Sequence, residues 1–363
     1  MNSSPKHRDD EFEADVCLLL EGTYPYVPGG VSTWVHHLVS ALKDVTFCGV
    51  VILPSIHQKW TRRYEAPPNL VKLDHVYIHD YQLSKTRRPI PRRRKAAKFL
   101  EEFHRALVAG RPEVIDRFVS LFYPANRRLI STEEMIHSKA AWDLLLKLYL
   151  PEENEGSFID YFWTFRFTHM PVFQILDAPI PRARVYHTIS TGYAGLMGVL
   201  AAKRNNRPLI LTEHGIYTKE RKIEISQAEW IYKGKADELR VQKEIGAFQR
   251  LWIKIFEGIS RLTYHVSSDV ITLYEGNRQI QIASGCPPDK IEIIPNGVLI
   301  ESFAHLKADP LDFADSFRIG FVGRVVPIKD VKTFIRACKL ISLRRPAVEF
   351  YIIGPTDEDK DYY

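Results

Sequence analysis

Cysteine is scarce in this chain and never patterned. The four cysteines among 363 residues, Cys17, Cys48, Cys286 and Cys338, stand singly, so there is no C-x-x-C spacing for zinc or a redox pair, and no disulfide framework is expected. Long hydrophobic runs are missing too. No segment approaches the roughly twenty apolar residues that cross a bilayer, and the polar, mixed-charge start Met1–Glu11 does not read as a secretory leader. A cytoplasmic setting is the expectation. Charge of one sign is only slightly in excess: 50 basic against 44 acidic residues leave +6, which suits an anionic ligand and does not by itself indicate nucleic acid. The G-x-G-x-x-G spacing with an acidic residue about twenty positions on is absent as well, which disfavours a dinucleotide oxidoreductase.

What is present is a repeated strand-loop-helix pattern. Val16–Leu20 is continuously apolar and predicts a buried parallel strand; Gly29-Gly30 then predicts a tight turn, and Ser32 is the expected N-cap of a helix with the stripe Val31, Val35, Leu38, Val39 and Leu42. Further strands are expected at Thr46–Leu53, Val76–His79, Val185–Ile189, Leu209–Thr212, Val270–Leu273 and Ile291–Ile294. Helical patterns separate most of them, the rhythm of a doubly wound, Rossmann-type α/β domain. Between 85 and 177 the strands stop and helical patterns follow one another, among them Ala96, Phe99, Leu100, Phe103 and Leu107, then Val114, Ile115, Phe118 and Phe122, then a pattern opened by the capping box Ser131-Thr-Glu-Glu134. This reads as a helical insertion. A long helix carrying Ile245, Phe248, Trp252, Ile255, Phe256 and Ile259 leads into the strand at Val270.

Pro and Gly in Ile294-Pro-Asn-Gly-Val298 break the pattern, so the first domain is expected to span 1–298 and a second to begin at 299. Residues 299–363 hold strand Arg318–Val322, loop Gly323–Lys329, a helix with Val331, Phe334, Ile335, Cys338 and Ile341, and strand Val348–Ile353. That is one βαβ unit, an incomplete second Rossmann-type domain by the usual size of such domains.

Two loops in this pattern suit an anion. Gly29 and Gly30 let backbone come close to a ligand, and Arg324 and Lys329 flank a turn ahead of a helix whose expected N-cap is Asp330. Glycines in a plain turn and solvated surface cations are the bland alternatives. His187, Thr188 and Tyr193 follow one middle strand, and Glu213 and His214 follow the next, at the carboxyl edge where doubly wound sheets bind ligands. The run Lys85–Lys95 is read first as a solvated entry to the insertion, with anionic lipid or an acidic partner as alternatives. Phe158, Tyr161, Phe162, Trp163, Phe165 and Phe167 are read as core of the insertion, with stacking on a polysaccharide as the alternative.

Taken in order, the Gly29-Gly30 loop, Thr212-Glu-His-Gly215, Ile294-Pro-Asn-Gly-Val298 and Gly323-Arg-Val-Val-Pro-Ile-Lys329 resemble family 4 glycosyltransferases of the GT-B fold. The strings Leu20-Glu-Gly-Thr-Tyr-Pro-Tyr-Val-Pro-Gly-Gly-Val-Ser32 and Glu213-His-Gly-Ile-Tyr-Thr-Lys-Glu-Arg221 narrow this to the cytosolic glycosyltransferases of Pel-type exopolysaccharide synthesis. The resemblance implies a transferase that takes a sugar from a nucleoside diphosphate donor, expected to be a UDP-sugar, with retention at the anomeric carbon and no metal or other cofactor. It implies donor contacts at Gly29, Gly30, Gly323, Arg324 and Lys329, with catalytic roles for His214 near the transferred sugar and for Arg324 and Lys329 on the departing diphosphate. Tyr24, Tyr26, His187, Thr188, Tyr193 and Glu213 are the acceptor-side candidates. The partners it implies are a glycan acceptor and an inner-membrane exopolysaccharide complex, with no nucleic acid. The family's motif of two glutamates seven residues apart would lie beyond Tyr363, so weak or no activity is expected of these residues alone. A non-catalytic scaffold and a GT-B sugar-nucleotide epimerase are the competing expectations.

Overall fold

Seven apolar runs of the first three hundred residues become seven strands, all paired in parallel. The computed structural model describes residues 12–80, 90–122, 137–149, 157–227, 247–306, 317–356, 359 and 362–363. The chain divides into two compact units, 1–296 and 297–363. In the first, β1 (Ala14–Glu21), β2 (Phe47–Leu53), β3 (Leu70–Tyr77), β4 (Ala183–Thr188), β5 (Leu209–Glu213), β6 (Asp269–Thr272) and β7 (Ile291–Ile293) form one sheet in the order β3-β2-β1-β4-β5-β6-β7. Strands are laid outward in one direction from β1 and then in the other from β4. The crevice at the carboxyl ends of β1 and β4 is therefore the topological switch point, where such sheets take ligands.

Both faces of the sheet are covered, which is why its strands read as unbroken apolar runs. Leu18 and Leu20 pack beneath α1 (Gly30–Ala41) with Val35 and Val39. Cys17 and Leu19 face the other way, into a core shared with α6 (Tyr193–Asn205) and α8 (Ala247–Val266). Cys17 lies opposite Cys48 of β2 in the register; both are buried and both are free thiols. β3 begins six residues earlier than the sequence suggests, because it is an edge strand whose first half is partly exposed and carries Lys72 and Asp74. Ser32 is not the cap of α1 either. Gly29 holds that position without a side-chain hydrogen bond, and Ser32 is buried inside the first turn.

The insertion between β3 and β4 contains α2 (Ile90–Ala109), α3 (Val114–Phe122), α4 (Lys139–Tyr149) and α5 (Phe158–Asp177). Phe99, Leu100, Phe103 and Leu107 are buried as their spacing predicts, and α2 packs on α8. The capping box Ser131–Glu134, residue Ile245 and the first part of the basic run Lys85–Lys95 lie outside the described residues. Of the aromatic cluster on α5, Tyr161 and Phe165 are core, whereas Trp163 and Phe167 are exposed. His169 of α5 and His104 of α2 meet inside this bundle, His104 Nδ1 to His169 Nε2 at 2.7 Å. Among the described residues no helix is long and apolar enough to cross a membrane.

The remaining helices of the first unit are α7 (Tyr217–Gln227) and α9 (Glu275–Ala283). In the second unit, β8 (Phe317–Val322) and β9 (Val348–Ile353) pair in parallel with α10 (Val331–Arg344) between them. Asp330 adopts the left-handed conformation and caps α10, its side chain accepting from the Thr333 N–H.

Candidate functional site

Apolar strands that stop at a common edge leave polar residues at their carboxyl ends, and here those ends converge on the switch point. Leu18 pairs with His187 and Leu19 with Thr188, so the loops after β1 and β4 emerge side by side; β5 follows next to β4. His187 is buried, and its Nε2 lies 2.8 Å from Thr212 Oγ1. Burial, with His214 nearby, pushes the His187 pKa down to about 4, so its imidazole is neutral at pH 7.

His214 is lowered by burial as well. Its Nδ1 lies 3.5 Å from Asn296 Nδ2, and its carbonyl accepts from Asn277 Nδ2 at 3.3 Å. The other ring nitrogen, Nε2, is buried and has no hydrogen-bond partner among the described residues. Trp34, in the second turn of α1, stands edge-on to both rings, 4.8 Å from His214 and 5.9 Å from His187 between centroids. The indole thus ties the two histidines to the helix that the glycine turn opens.

Two acidic side chains decide which helix N-terminus is left open. Glu213 is fully buried; one oxygen accepts from Thr191 Oγ1 and the Tyr217 N–H, the other from Tyr264 Oη at 2.7 Å and Gln281 Nε2 at 2.8 Å. Desolvation raises its pKa, and these four donors oppose the shift. In accepting from Tyr217 it fills the N-terminus of α7. Glu21 does the same for α6 from another strand: it accepts from the Ala194 N–H at 3.2 Å, from Ser190 Oγ at 3.4 Å and from Tyr217 Oη at 2.7 Å. Arg221 stands 4.0 Å away. Gly192 makes this possible, since a Cβ there would fall 2.2 Å from the Tyr217 ring and 2.6 Å from the Glu21 carboxylate. α9 carries Glu275 in its own first turn. α1 differs: it has no side-chain cap and no acidic residue in its first turn, and open space surrounds Gly29 and Gly30.

The other predicted residues fall in three places. Thr188 is enclosed, donating to the Ser190 carbonyl, and Tyr193 packs edge-on against Phe256. Tyr24 and Tyr26 turn toward the β2–β3 side, Tyr24 Oη to His36 Nδ1 at 3.5 Å and Tyr26 Oη to His75 Nε2 at 2.5 Å. Tyr64 of the same cluster bonds Thr33 Oγ1 at 3.0 Å. Gly323, Arg324 and Lys329 belong to the second unit, on the turn between β8 and α10. Gly354 lets this turn approach the one after β9, for a Cβ there would lie 1.9 Å from the Gly323 carbonyl. Arg324 is half-buried and Lys329 exposed. Sequence reasoning missed Glu21, Trp34, Tyr217 and Asn296. Only Glu21 left a local signal, as the acidic residue that ends the apolar run of β1.

The family described as "Domain of unknown function (DUF3492)" matches residues 14–289. No curated protein is significantly similar in sequence. Among solved structures the chain is similar to Anabaena HepE in complex with UDP and glucose, at 11% identity and a TM-score of 0.43, covering 96% of this chain and 64% of that one. HepE in complex with UDP matches at 10% identity and a TM-score of 0.40, covering 94% of this chain and 70% of that one. HepE in complex with UDP-glucose matches at 9% identity and a TM-score of 0.37, with the same coverage. The chain therefore spans a little under two thirds of the length of the first of these structures.

Proposed function

The chain belongs to the DUF3492 family, and on that premise we propose that it is a retaining glycosyltransferase of family 4 and GT-B type, akin to PelF, that moves a sugar from a UDP-sugar to a growing exopolysaccharide. One observation supports this reading most: the N-terminus of α1, which has no side-chain cap, is joined through Trp34 to His214, an imidazole whose Nε2 lacks a partner among the described residues. An anion-accepting helix end beside an imidazole with an unpaired nitrogen is what a sugar linked to a phosphate would engage. Glu21 and Glu213 direct this selectivity by filling the neighbouring helix ends.

In this reading the first-turn N–H groups of α1 and the flexible backbone of Gly29 and Gly30 take phosphate oxygens. The neutral His214 imidazole is assigned to a hydroxyl of the transferred sugar, where it orients the ring without adding a charge beside the breaking bond. As the glycosidic bond to the diphosphate breaks, negative charge grows on the leaving oxygen. Arg324 and Lys329 are assigned to meet that charge, so the reaction needs no metal. Glu213, His187 and Thr188, the acceptor-side candidates at the strand ends, also hold the loops that carry His214 through their bonds to Tyr217, Thr212 and Ser190. The acceptor glycan and an inner-membrane assembly complete the proposal as partners of a cytoplasmic protein.

Isothermal titration with UDP and a panel of UDP-sugars, followed by product analysis with oligosaccharide acceptors, tests it. Binding of a UDP-sugar that weakens roughly tenfold or more in His214→Ala, with the fold kept, is the expected result. Absence of binding by any nucleotide or nucleotide sugar would overturn the reading.

A further inference from the structure

A recess open to solvent, with a volume of about 200 Å³, lies between the start of β3 and the connection that leads to it from β2. Arg62 and Tyr64 reach it from the connection, Lys72 and Leu73 from β3, and Tyr24 from the loop after β1. Its volume falls below the ~300 Å³ at which pockets for drug-sized molecules begin, so it suits one small ring better than an extended chain. The two cations in its lining differ. Lys72 Nζ stands 2.7 Å from Glu13 Oε2 and 3.0 Å from Asp74 Oδ2, so its charge is engaged within the chain. Arg62 is exposed and, among the described residues, has neither a hydrogen bond nor an ion pair. Burial raises the Tyr24 phenol and lowers the His75 imidazole; the Arg62 charge opposes the first shift and adds to the second, so the guanidinium is held close to both rings.

The uncharged walls offer both stacking and hydrogen bonding. Tyr64 is half-buried, its ring 5.4 Å between centroids from that of the fully buried Tyr24. Its hydroxyl bonds Thr33 Oγ1 at 3.0 Å and accepts from the Gly29 N–H at 3.5 Å, which fastens this wall to the turn that opens α1. β3 ends the sheet on its side, so its outer backbone N–H and C=O groups have no strand partner among the described residues. A sugar ring turns apolar faces to an aromatic wall and hydroxyls to free backbone groups, and an anionic substituent matches the planar fork of a guanidinium. We propose that this recess binds one sugar ring bearing an anionic substituent, the ring against Tyr64 and Leu73 and the anion on Arg62. A sugar carboxylate and a sugar phosphate share that chemistry. Because Tyr64 also holds the glycine turn, the ring is assigned as a unit of the acceptor glycan, an assignment that rests on the transferase reading above.

Titration of the full chain with methyl glucuronide, glucose 6-phosphate, methyl glucoside and inorganic phosphate, read by calorimetry and ligand-observed NMR without nucleotide, tests the recess. The two sugar anions are expected to bind, the tighter one identifying the substituent, with methyl glucoside and phosphate each roughly tenfold weaker. Arg62→Gln, at an exposed position, is expected to erase the advantage of the anions over methyl glucoside, and Ala66→Trp, at another exposed position in the lining, to block all of them. A parallel titration with UDP reports on the transferase reading by itself. UDP binding without binding of either sugar anion would overturn the recess and leave that reading standing, whereas sugar-anion binding without UDP binding would support the recess and overturn its assignment to the acceptor. Methyl glucoside or phosphate binding as tightly as the sugar anions, or sugar-anion binding undiminished in Arg62→Gln or Ala66→Trp, would each overturn the proposal.

Discussion

β1 and β8 are both parallel strands that run into a glycine-bearing turn and a helix, yet one is enclosed and the other is bare. β1 lies between β2 and β4 with helices on both faces, and Leu18, Leu19 and Leu20 have no exposed surface. Among the described residues β8 has a single strand neighbour, β9, and its Phe317 and Val322 are 70% and 80% exposed. Apolar, β-prone sequence is enough to form a strand and its register. Enclosure is a separate property that depends on what lies on both edges and both faces, and no local window encodes it.

Acid should divide the two regions most strongly. Burial lowers the pKa of both His187 and His104 to about 4 from 6.5, and lowers His169 as well. The unfolded chain binds protons on these rings at a pH where the folded chain does not. Their contribution to stability is therefore complete above pH 6.5 and is lost as the pH falls toward 4, up to about 3 kcal/mol for each of the two. Denaturant melts at pH 7, 5.5 and 4.5, read by tryptophan fluorescence, should show this loss, since all six tryptophans lie in the first unit, the last at Trp252. Residues 317–363 contain no histidine, so near-complete insensitivity of the first unit to this pH range would contradict the burial described here.

Truncation of paired leucine and valine positions should sharpen the contrast. Leu19→Ala is expected to cost ~2–5 kcal/mol in denaturant melts, through lost burial and a residual cavity. Val322→Ala on β8 is expected to stay within about 0.5 kcal/mol. Equal effects would mean that β8 is covered in solution. A smaller difference is expected between glycines. Gly192→Ala drives a methyl into the Tyr217 ring and the Glu21 carboxylate and should cost ~1–3 kcal/mol, with release of Glu21 from the α6 N-terminus. Gly320→Ala in β8 meets nothing within 4 Å and should be close to neutral, within about 0.5 kcal/mol.

The sheet was legible in the sequence because a parallel sheet covered on both faces turns each strand into an unbroken apolar run. Where that cover fails the reading shifted, as at the edge strand β3, whose polar first half hid its start. The cap of α1 was misplaced for a different reason: a glycine cap has no side chain to announce it, while the buried Ser32 resembles one. At the site, the residues at strand ends were readable from position alone, His187, Glu213 and His214 among them. Their partners were not. Tyr217 reaches Glu21 across 196 residues of chain, and Asn296 reaches His214 across 82. Such pairings are decided by sheet order, which periodicity does not reveal.

The facing thiols of Cys17 and Cys48 give the molecule an internal clock. Each sits at the centre of the sheet, out of reach of reagent, and the neighbouring sulfur, then burial, pushes the Cys17 thiol far from ionisation. Alkylation of either sulfur must wait for β1 and β2 to part. The rate at which the pair is labelled therefore counts the openings of the sheet at the strand whose far end carries Glu21, without any probe having to be added to the chain.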